Sequence, residues 1–222
     1  MLREVIFDTE TTGLDPSSGD RILEIGCVEV LNRMPTGRTY HQYINPERDI
    51  PTAATKIHGI NNEMIAKKPI FEEIADEFLS FLGTADLVAH NASFDFRFVN
   101  WELENCGKQT LDMSRMVDTL QIARTKFPGA PASLDALCKR FGIDSSNRTL
   151  HGALLDAKIL AEVYLEITGG RQTGMNLNPE NKETQARKAK KDRPHRSFPA
   201  SNEELAAHQN FVANLKNTIW LR

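Results

Sequence analysis

The chain begins with a compact apolar run, Val5-Ile6-Phe7, and two further stretches follow in which Ile, Val and aromatic residues mix with polar ones. Residues 4–8, 22–31 and 39–45 read as β-strands by this patterning. The second run is rich in Ile and Val, contains Gly26 and is flanked by turn signals, as a central strand should be. The short intervals between the runs predict an antiparallel meander. The pattern then changes period. Phe71, Ile74, Phe78 and Leu82 keep helical spacing after Pro69. A short strand over 86–89 interrupts, and from Asp95 a helix carries Phe98, Trp101 and Leu103, with Gly107 to close it. Val117 heads a strand-to-helix passage whose helix, 118–127, is stopped by Pro128-Gly129. Ser133 caps a helix over 134–141 that Gly142 ends, and a last long helix runs from Gly152 to about Ile167, stopped by Gly169-Gly170.

Beyond Gly170 the patterning fails. Residues 178–197 hold Asn, Glu, Gln, Lys and Arg with almost no apolar side chain, so this segment lacks the means to form a core and reads as a flexible linker. Its basic run, Arg187 to Arg193, is read as a solvated spacer rather than a DNA contact. After it, Ser201-Asn202-Glu203-Glu204 carries helix-start signals, and Phe198, Leu205, Phe211, Val212, Leu215, Ile219 and Trp220 supply apolar anchors. A helix this short is marginal alone, so those anchors need a surface.

At 222 residues and 40% hydrophobic content the chain has enough material for one sizeable core plus a tail. It contains no run of eighteen apolar residues, which excludes a spanning helix, and its first residues do not read as a secretory signal. Cys27, Cys106 and Cys138 are odd in number, scattered and without zinc spacing, as expected for reduced thiols of a cytoplasmic protein. The net charge of −3 is unevenly divided. Residues 1–170 hold 17 Lys and Arg against 25 Asp and Glu, a net −8, while 171–222 carry 10 against 5, a net +5. An acidic folded region cannot grip nucleic acid by broad phosphate neutralisation, so its substrate contacts must be local or its substrate delivered by a partner.

Three short motifs carry the chemistry: Phe7-Asp8-Thr9-Glu10-Thr11-Thr12-Gly13, His90-Asn91-Ala92-Ser93-Phe94-Asp95 and His151-Gly152-Ala153-Leu154-Leu155-Asp156. Asp8 and Glu10 are two apart, so on an extended chain both carboxylates leave the same face. Two carboxylates at the end of an apolar strand repel each other and resist burial, which calls for a cation between them. With Asp95 and Asp156 there are four acids, a donor set suited to hard divalent ions such as Mg²⁺ or Mn²⁺. Taken singly each has an ordinary reading: a solvated turn for Asp8 and Glu10, a helix cap for Asp95, an exposed helical acid for Asp156 and a helix-start histidine for His151. Their joint order and spacing do not come from independent accidents.

In that order, Asp8, Glu10, Asp95 and Asp156, with His151 five residues before the last acid, resemble the DEDD exonucleases of the histidine-containing branch. The resemblance covers residues 1–170 and no member of the catalytic pattern is missing. Within the branch, the stretch Arg148-Thr149-Leu150-His151-Gly152-Ala153-Leu154-Leu155-Asp156-Ala157 and the tail make the chain most similar to the proofreading epsilon subunits of bacterial DNA polymerase III. The resemblance implies an α/β, ribonuclease-H-like fold: a mixed central sheet flanked by helices, with an extended C-terminal tail. It implies hydrolysis of mispaired 3′-terminal nucleotides of DNA as 5′-monophosphates, with two divalent cations, Mg²⁺ or Mn²⁺, about 4 Å apart. Asp8 would bridge the two ions, Glu10 and Asp156 would complete the shell of the one on the side of the attacking water, and Asp95 would hold the second. His151, with an intrinsic pKa near ~6.5, would act as the general base.

Substrate contacts follow on the same footing. Asp8, Glu10 and Asp156 lie at the scissile group, Thr9 and Thr11 offer backbone N–H groups to the terminal nucleotide, and Asn91 and Phe94 shape the pocket around its base or sugar. His58, in Ile57-His58-Gly59-Ile60, matches a family motif beside that nucleotide. The implied organisation is an exonuclease domain over 1–170, a clamp-binding peptide over 171–177, a flexible linker over 178–197 and a polymerase-binding segment over 198–222. In the peptide, Gln172, Met175 and Leu177 resemble the short motif that docks on the bacterial sliding clamp. The implied partners are the single-stranded 3′ end of DNA, the polymerase III alpha subunit, the sliding clamp and, as an open question, a small theta subunit; a membrane is not among them. The expected location is the cytoplasm, at the nucleoid and replisome. The main rival is an RNA 3′-end exonuclease of the ribonuclease T or oligoribonuclease type, which shares all five catalytic residues and which the tail argues against. A catalytically dead scaffold is the other alternative, and intact ligands argue against that.

Overall fold

Described in this computed structural model are residues 2–146, 150–169 and 199–214. The chain divides into two units, Met1–Met175 and Asn176–Arg222. In the first, β1 (Arg3–Thr11), β2 (Ile22–Leu31) and β3 (Met34–Tyr43) form the antiparallel meander that the apolar runs predict. Two boundaries differ from the sequence reading. β1 continues through Thr11, so Asp8 and Glu10 lie within the strand rather than beyond it. β3 starts at Met34, because Asn32 and Arg33, both at positive φ (49° and 68°), close a tight hairpin. The start of β3, with Pro35 and Gly37 and no alternation, hides it from pattern reading; residues 34–39 are exposed, as an outer strand tolerates.

Two short helices that the pattern does not reveal follow: α1 (Thr52–His58) and α2 (Asn62–Ile65). Then α3 (Phe71–Leu82), β4 (Asp86–Ala89) and α4 (Ala92–Asn105) appear. α4 begins three residues before Asp95, which therefore sits in its first turn and is not its cap. β5 (Met116–Asp118) and α5 (Thr119–Lys126) follow, then α6 (Leu134–Phe141) and α7 (Ala153–Ile167), close to the expected bounds. Asp156 lies in the first turn of α7, nearer its start than the expected turn and a half.

The five strands form one sheet in the order β3-β2-β1-β4-β5, with β4 and β5 parallel to β1. This is the expected mixed sheet flanked by helices. β1 is central, so both its faces are buried and its side chains alternate between two cores. Val5 and Phe7 join Phe71, Phe78, Phe96 and Phe98 under α3 and α4. Ile6 joins Val28, Val88, Leu137, Leu160 and Val163 under α6 and α7. Each fully buried phenylalanine contributes about 1.5–3 kcal/mol of transfer free energy. Cys27 and Cys138 are buried, and all three cysteines are free thiols.

In the second unit, α8 (Asn202–Ala213) starts where the capping signals predict: Ser201 Oγ accepts from Glu204 N (3.2 Å) while the Glu204 carboxylate accepts from Ser201 N (2.8 Å). None of its residues is buried, and Leu205 and Phe211 stand 50% and 64% exposed. The expected clamp peptide (171–177) and linker (178–197) lie outside the described residues. Among the described residues, no helix is long and apolar enough to cross a membrane.

Candidate active site

The site grows from the alternation along β1. Odd positions face α3 and α4, so Thr9 meets α4: its hydroxyl donates to Asp95 Oδ1 at 2.7 Å. Even positions face α7, so Glu10 meets the start of that helix. Glu10, His151 and Asp156 each present a ligand atom within 4.8 Å of the others. Asp8 shares that face by alternation and is half-buried. Two acids of one strand thus look towards α7, while a hydroxyl between them holds the fourth acid on the opposite layer.

α7 approaches the sheet closely because of Gly26. Gly26 pairs with Asp8 in the β1–β2 ladder, and a Cβ built on it would lie 2.2 Å from Leu154 N. Two residue pairs further, Glu24 lies opposite Glu10. Its Oε2 accepts from Ala153 N (3.2 Å), the first helical N–H of α7, and its Oε1 is 2.7 Å from His41 Nε2. Glu24 therefore caps from the sheet a helix whose own N-cap, Gly152, has no side chain to offer. Neither Gly26 nor Glu24 was singled out as a site residue in the sequence reading; the Glu24-Ile25-Gly26 triplet facing a two-acid strand is the only signal, and its meaning depends on register.

His151 precedes α7 with its side chain 47% exposed, and Nδ1 lies 3.3 Å from Asp156 Oδ2. Its backbone N donates to the Ile57 carbonyl (3.2 Å), tying the loop to the end of α1. That contact brings His58 into the site. His58 is 7% exposed, and its Nδ1 accepts from Ile60 N (3.0 Å), which leaves Nε2 as the protonated nitrogen of the neutral ring. Among the described residues, buried Nε2 has no hydrogen-bond partner. Burial lowers the His58 pKa, the Thr11 backbone pulls it up and the charge of His151 pushes it down again. The ring is thus a neutral donor lying towards Thr11 and His151. The Thr11 hydroxyl itself donates to the Gly13 carbonyl (2.6 Å).

Asp95 is 3% exposed, and burial pushes its pKa up to about 7; the Thr9 hydroxyl opposes this and nearby Asp118 adds to it. A buried carboxyl raised to this extent is stabilised in its charged form by a cation beside it. Asp118 also organises the neighbouring turn: its Oδ1 caps α5 through Leu120 N (2.9 Å) and accepts from Asn91 N (3.1 Å). Asn91 adopts the left-handed conformation (φ 64°) at the start of α4, and half-buried Phe94 packs at a tilt against Phe98, ring centroids 4.9 Å apart. The β1–β4 ladder ends at Ile6 and Val88, so residues 7–11 are paired through β2 alone. That leaves one backbone edge of the acidic segment outside the sheet.

The donor set, carboxylate oxygens with one imidazole in reach, fits hard divalent cations, and the buried, proton-retaining Asp95 fits a site built for added positive charge. The structure brings Glu10, His151 and Asp156 into one cluster, places Asp95 on Thr9 and brings His58 to the same edge.

This arrangement has relatives. A model of the exonuclease family RNase_T matches residues 5–164. A Rickettsia felis protein named DNA polymerase III subunit epsilon is 47% identical over 225 residues, covering 98% of each chain. A protein of the same name from Haemophilus influenzae is 42% identical over 241 residues, covering 98% of this chain and 94% of that one. Among solved structures, exonuclease X in complex with 5′-overhanging duplex DNA matches with a TM-score of 0.57 at 29% identity, over 76% of this chain and 91% of that one. The nuclease domain of 3′hExo bound to rAMP, a DEDDh family member, matches at 0.64 and 19% identity, over 75% and 91%, a likeness of fold.

Proposed function

We infer from one premise, that this chain belongs to the exonuclease family RNase_T and within it to the DNA polymerase III epsilon subunits, that it is a proofreading 3′–5′ exonuclease of DNA. The observation that carries the chemistry is the convergence of Glu10, His151 and Asp156 within 4.8 Å on the α7 side of β1, with Asp95 held by Thr9 on the other side. Enzymes of this family use divalent metal ions. We assign Asp8, Glu10, Asp95 and Asp156 to two of them, Mg²⁺ or Mn²⁺; when bound, they neutralise the charge that builds at the scissile phosphate and on the leaving oxygen.

The residues of the chain do the rest. His151 takes a proton from the attacking water as its oxygen bonds to phosphorus; with Nδ1 towards Asp156, Nε2 is the nitrogen for that transfer. The bond from phosphorus to the 3′ oxygen of the penultimate nucleotide breaks, that oxygen is protonated, and a 5′-monophosphate leaves. Asp156 orients His151. The terminal nucleotide settles beside Thr9 and Thr11, along the edge of β1 that β4 leaves unpaired, where it meets the backbone groups that Asp95 and His58 do not already face. His58 donates from Nε2 to that nucleotide, and Asn91 and Phe94 border its base and sugar.

The tail attaches the enzyme to its machine. We assign residues 1–170 to catalysis, Gln172, Met175 and Leu177 within 171–177 to a sliding clamp, 178–197 to a flexible linker and 198–222 to the polymerase alpha subunit, with a small theta subunit as an open question. The exposed Leu205 and Phe211 on α8 support the last assignment of a docking segment. Such contacts gain strength from tethering, since polymerase and clamp are held on the same DNA. A cytoplasmic, replisome-associated location follows from these partners. The deciding assay follows 5′-monophosphate release from single-stranded DNA, mispaired duplex ends and RNA, with Mg²⁺ and with EDTA. Faster release from DNA, and from mispaired over paired ends, is expected; equal or faster release from RNA would replace this reading with the ribonuclease one.

A further inference from the structure

A cavity of about 660 Å³ adjoins the reaction centre and contains none of the four acids and neither Thr9, Thr11, His58 nor Phe94. His90, Asn91 and His151 form the wall it shares with the centre. The far wall is Leu120 and Arg124 of α5 with the first turn of α6, Leu134 and Asp135, and the residues that lead into it. We propose that this cavity is a second subsite of the exonuclease, taking the single strand upstream of the scissile nucleotide, with the Arg124 guanidinium on a backbone phosphate. The inference rests on the exonuclease reading and deepens it.

Three observations lead there. The first is position. The terminal nucleotide is assigned to the edge of β1, α1 and Phe94, and a polymer held by its end must leave the centre across another wall. The cavity is the opening that touches His151 on one side and reaches α5 and α6 on the other, and its volume lies within the ~300–1,000 Å³ usual for ligand sites. The second is charge. Neighbouring cations are committed: Lys126 Nζ donates to the Ile167 carbonyl at 2.7 Å, and Arg140 lies 4.4 Å over the Phe127 ring. Arg124, exposed and lining the cavity, makes no hydrogen bond or ion pair with the described residues. Its planar donor fork, open to this space among the described residues, suits a phosphate. The third is the shape of the field. α6 starts in the far wall, where Ser133 Oγ takes Ala136 N (3.3 Å), so the helix adds positive potential to the same space.

Substrate length separates this subsite from the centre itself. A deoxydinucleotide has only the scissile phosphate, whereas a hexanucleotide also has upstream ones. In the full chain with Mg²⁺, Arg124→Ala should raise KM for the single-stranded hexanucleotide about three- to fivefold, the range of an exposed ion pair, with kcat within about twofold. Dinucleotide hydrolysis should not change. By fluorescence anisotropy in EDTA, the slope of log affinity against log salt for the hexanucleotide should fall by roughly 0.7, one phosphate contact on a single strand. Arg124→Lys should keep most of the affinity. Equal effects on both lengths, no effect on either, or an equal loss in Lys139→Ala, at an exposed cation outside the cavity, would overturn the subsite. Wild-type protein that releases no mononucleotide from either length with Mg²⁺ would instead overturn the reading of the centre on which the subsite rests.

Discussion

Gly26 pairs with Asp8 across the β1–β2 ladder, and the space its side chain would fill is taken by the backbone of α7 at Ala153 and Leu154. The missing atom is thus what lets the helix bearing Asp156 come down onto the strand bearing Asp8. Gly26→Ala forces a Cβ to within 2.2 Å of a backbone nitrogen that no side-chain rotation relieves. We expect a loss of about 2–4 kcal/mol, the upper range for overpacking against backbone. Thermal melting should show it as a fall of the order of 5–15 °C. Activity should fall further than the melt accounts for at 25 °C, because the surviving fold holds α7 away from β1.

Glu24 provides a gentler test of the same helix. Glu24→Ala removes the acceptor for Ala153 N and the partner of His41. A lost N-terminal cap costs about 1 kcal/mol of stability. The expected signature is a kcat reduced about tenfold with KM nearly constant, partly restored in Glu24→Gln, which keeps an acceptor oxygen. If kcat is unchanged while the melt shifts, Glu24 serves stability alone.

Removal of the reacting groups should separate two roles. Asp8→Ala should abolish turnover. His151→Ala should lower kcat by about 10²–10⁴, the usual worth of a positioned base, while Mn²⁺ binding followed by calorimetry stays within a few-fold of wild type. Near-normal turnover in either variant is incompatible with the mechanism.

Asp95 should make the cation-free protein sensitive to pH. Its folded pKa, about 7, lies above the ordinary value of 3.8, so the fold holds the proton more tightly than the unfolded chain does. Its contribution is therefore fully present below pH 3.8 and is lost as pH rises towards 7. In EDTA the wild-type melting temperature should fall between pH 5 and 8 relative to Asp95→Asn, which has no charge to bury. Mg²⁺ should close that gap at pH 8 by binding the charged carboxylate. A constant difference between the two proteins across this range would show that Asp95 does not titrate there.

The tail should be separable from catalysis. Truncation after Gly170 should keep mononucleotide release within about twofold and lose co-purification with the polymerase subunit, since the assigned contacts all lie beyond the cut. In the full chain, Gln172→Ala with Met175→Ala and Leu177→Ala should weaken clamp binding at least tenfold in a direct titration. Equal binding by parent and variant would remove the clamp from the account and leave the exonuclease standing.

The sequence made the candidate groups legible because their identity and order do not depend on packing: Asp8, Glu10, Asp95, His151 and Asp156 can all be named before any fold is known, and the fold brings Glu10, His151 and Asp156 together. The strands and long helices were legible where apolar residues keep a period, as in α3 and α7. What stayed hidden is set by register and tertiary contact. α1, which brings His58 to the site, has no apolar stripe; its place is fixed by the His151 N–H on the Ile57 carbonyl. Glu24 becomes a helix cap, and Gly26 a passage for α7, only once β2 is aligned against β1. The first residues of β3, Met34-Pro35-Thr36-Gly37, are exposed and carry no alternation, so no pattern could announce them.

The two cores on either side of β1 have a consequence for the ligand set. Asp95 stands on the layer built by Phe7, Phe96 and Phe98, and Asp156 on the layer built by Ile6, Leu160 and Val163. A half-folded intermediate with one layer docked has at most part of its ligand set in place. The assigned ligand set therefore belongs to neither core alone: it is complete only where α4 and α7 are both seated on β1.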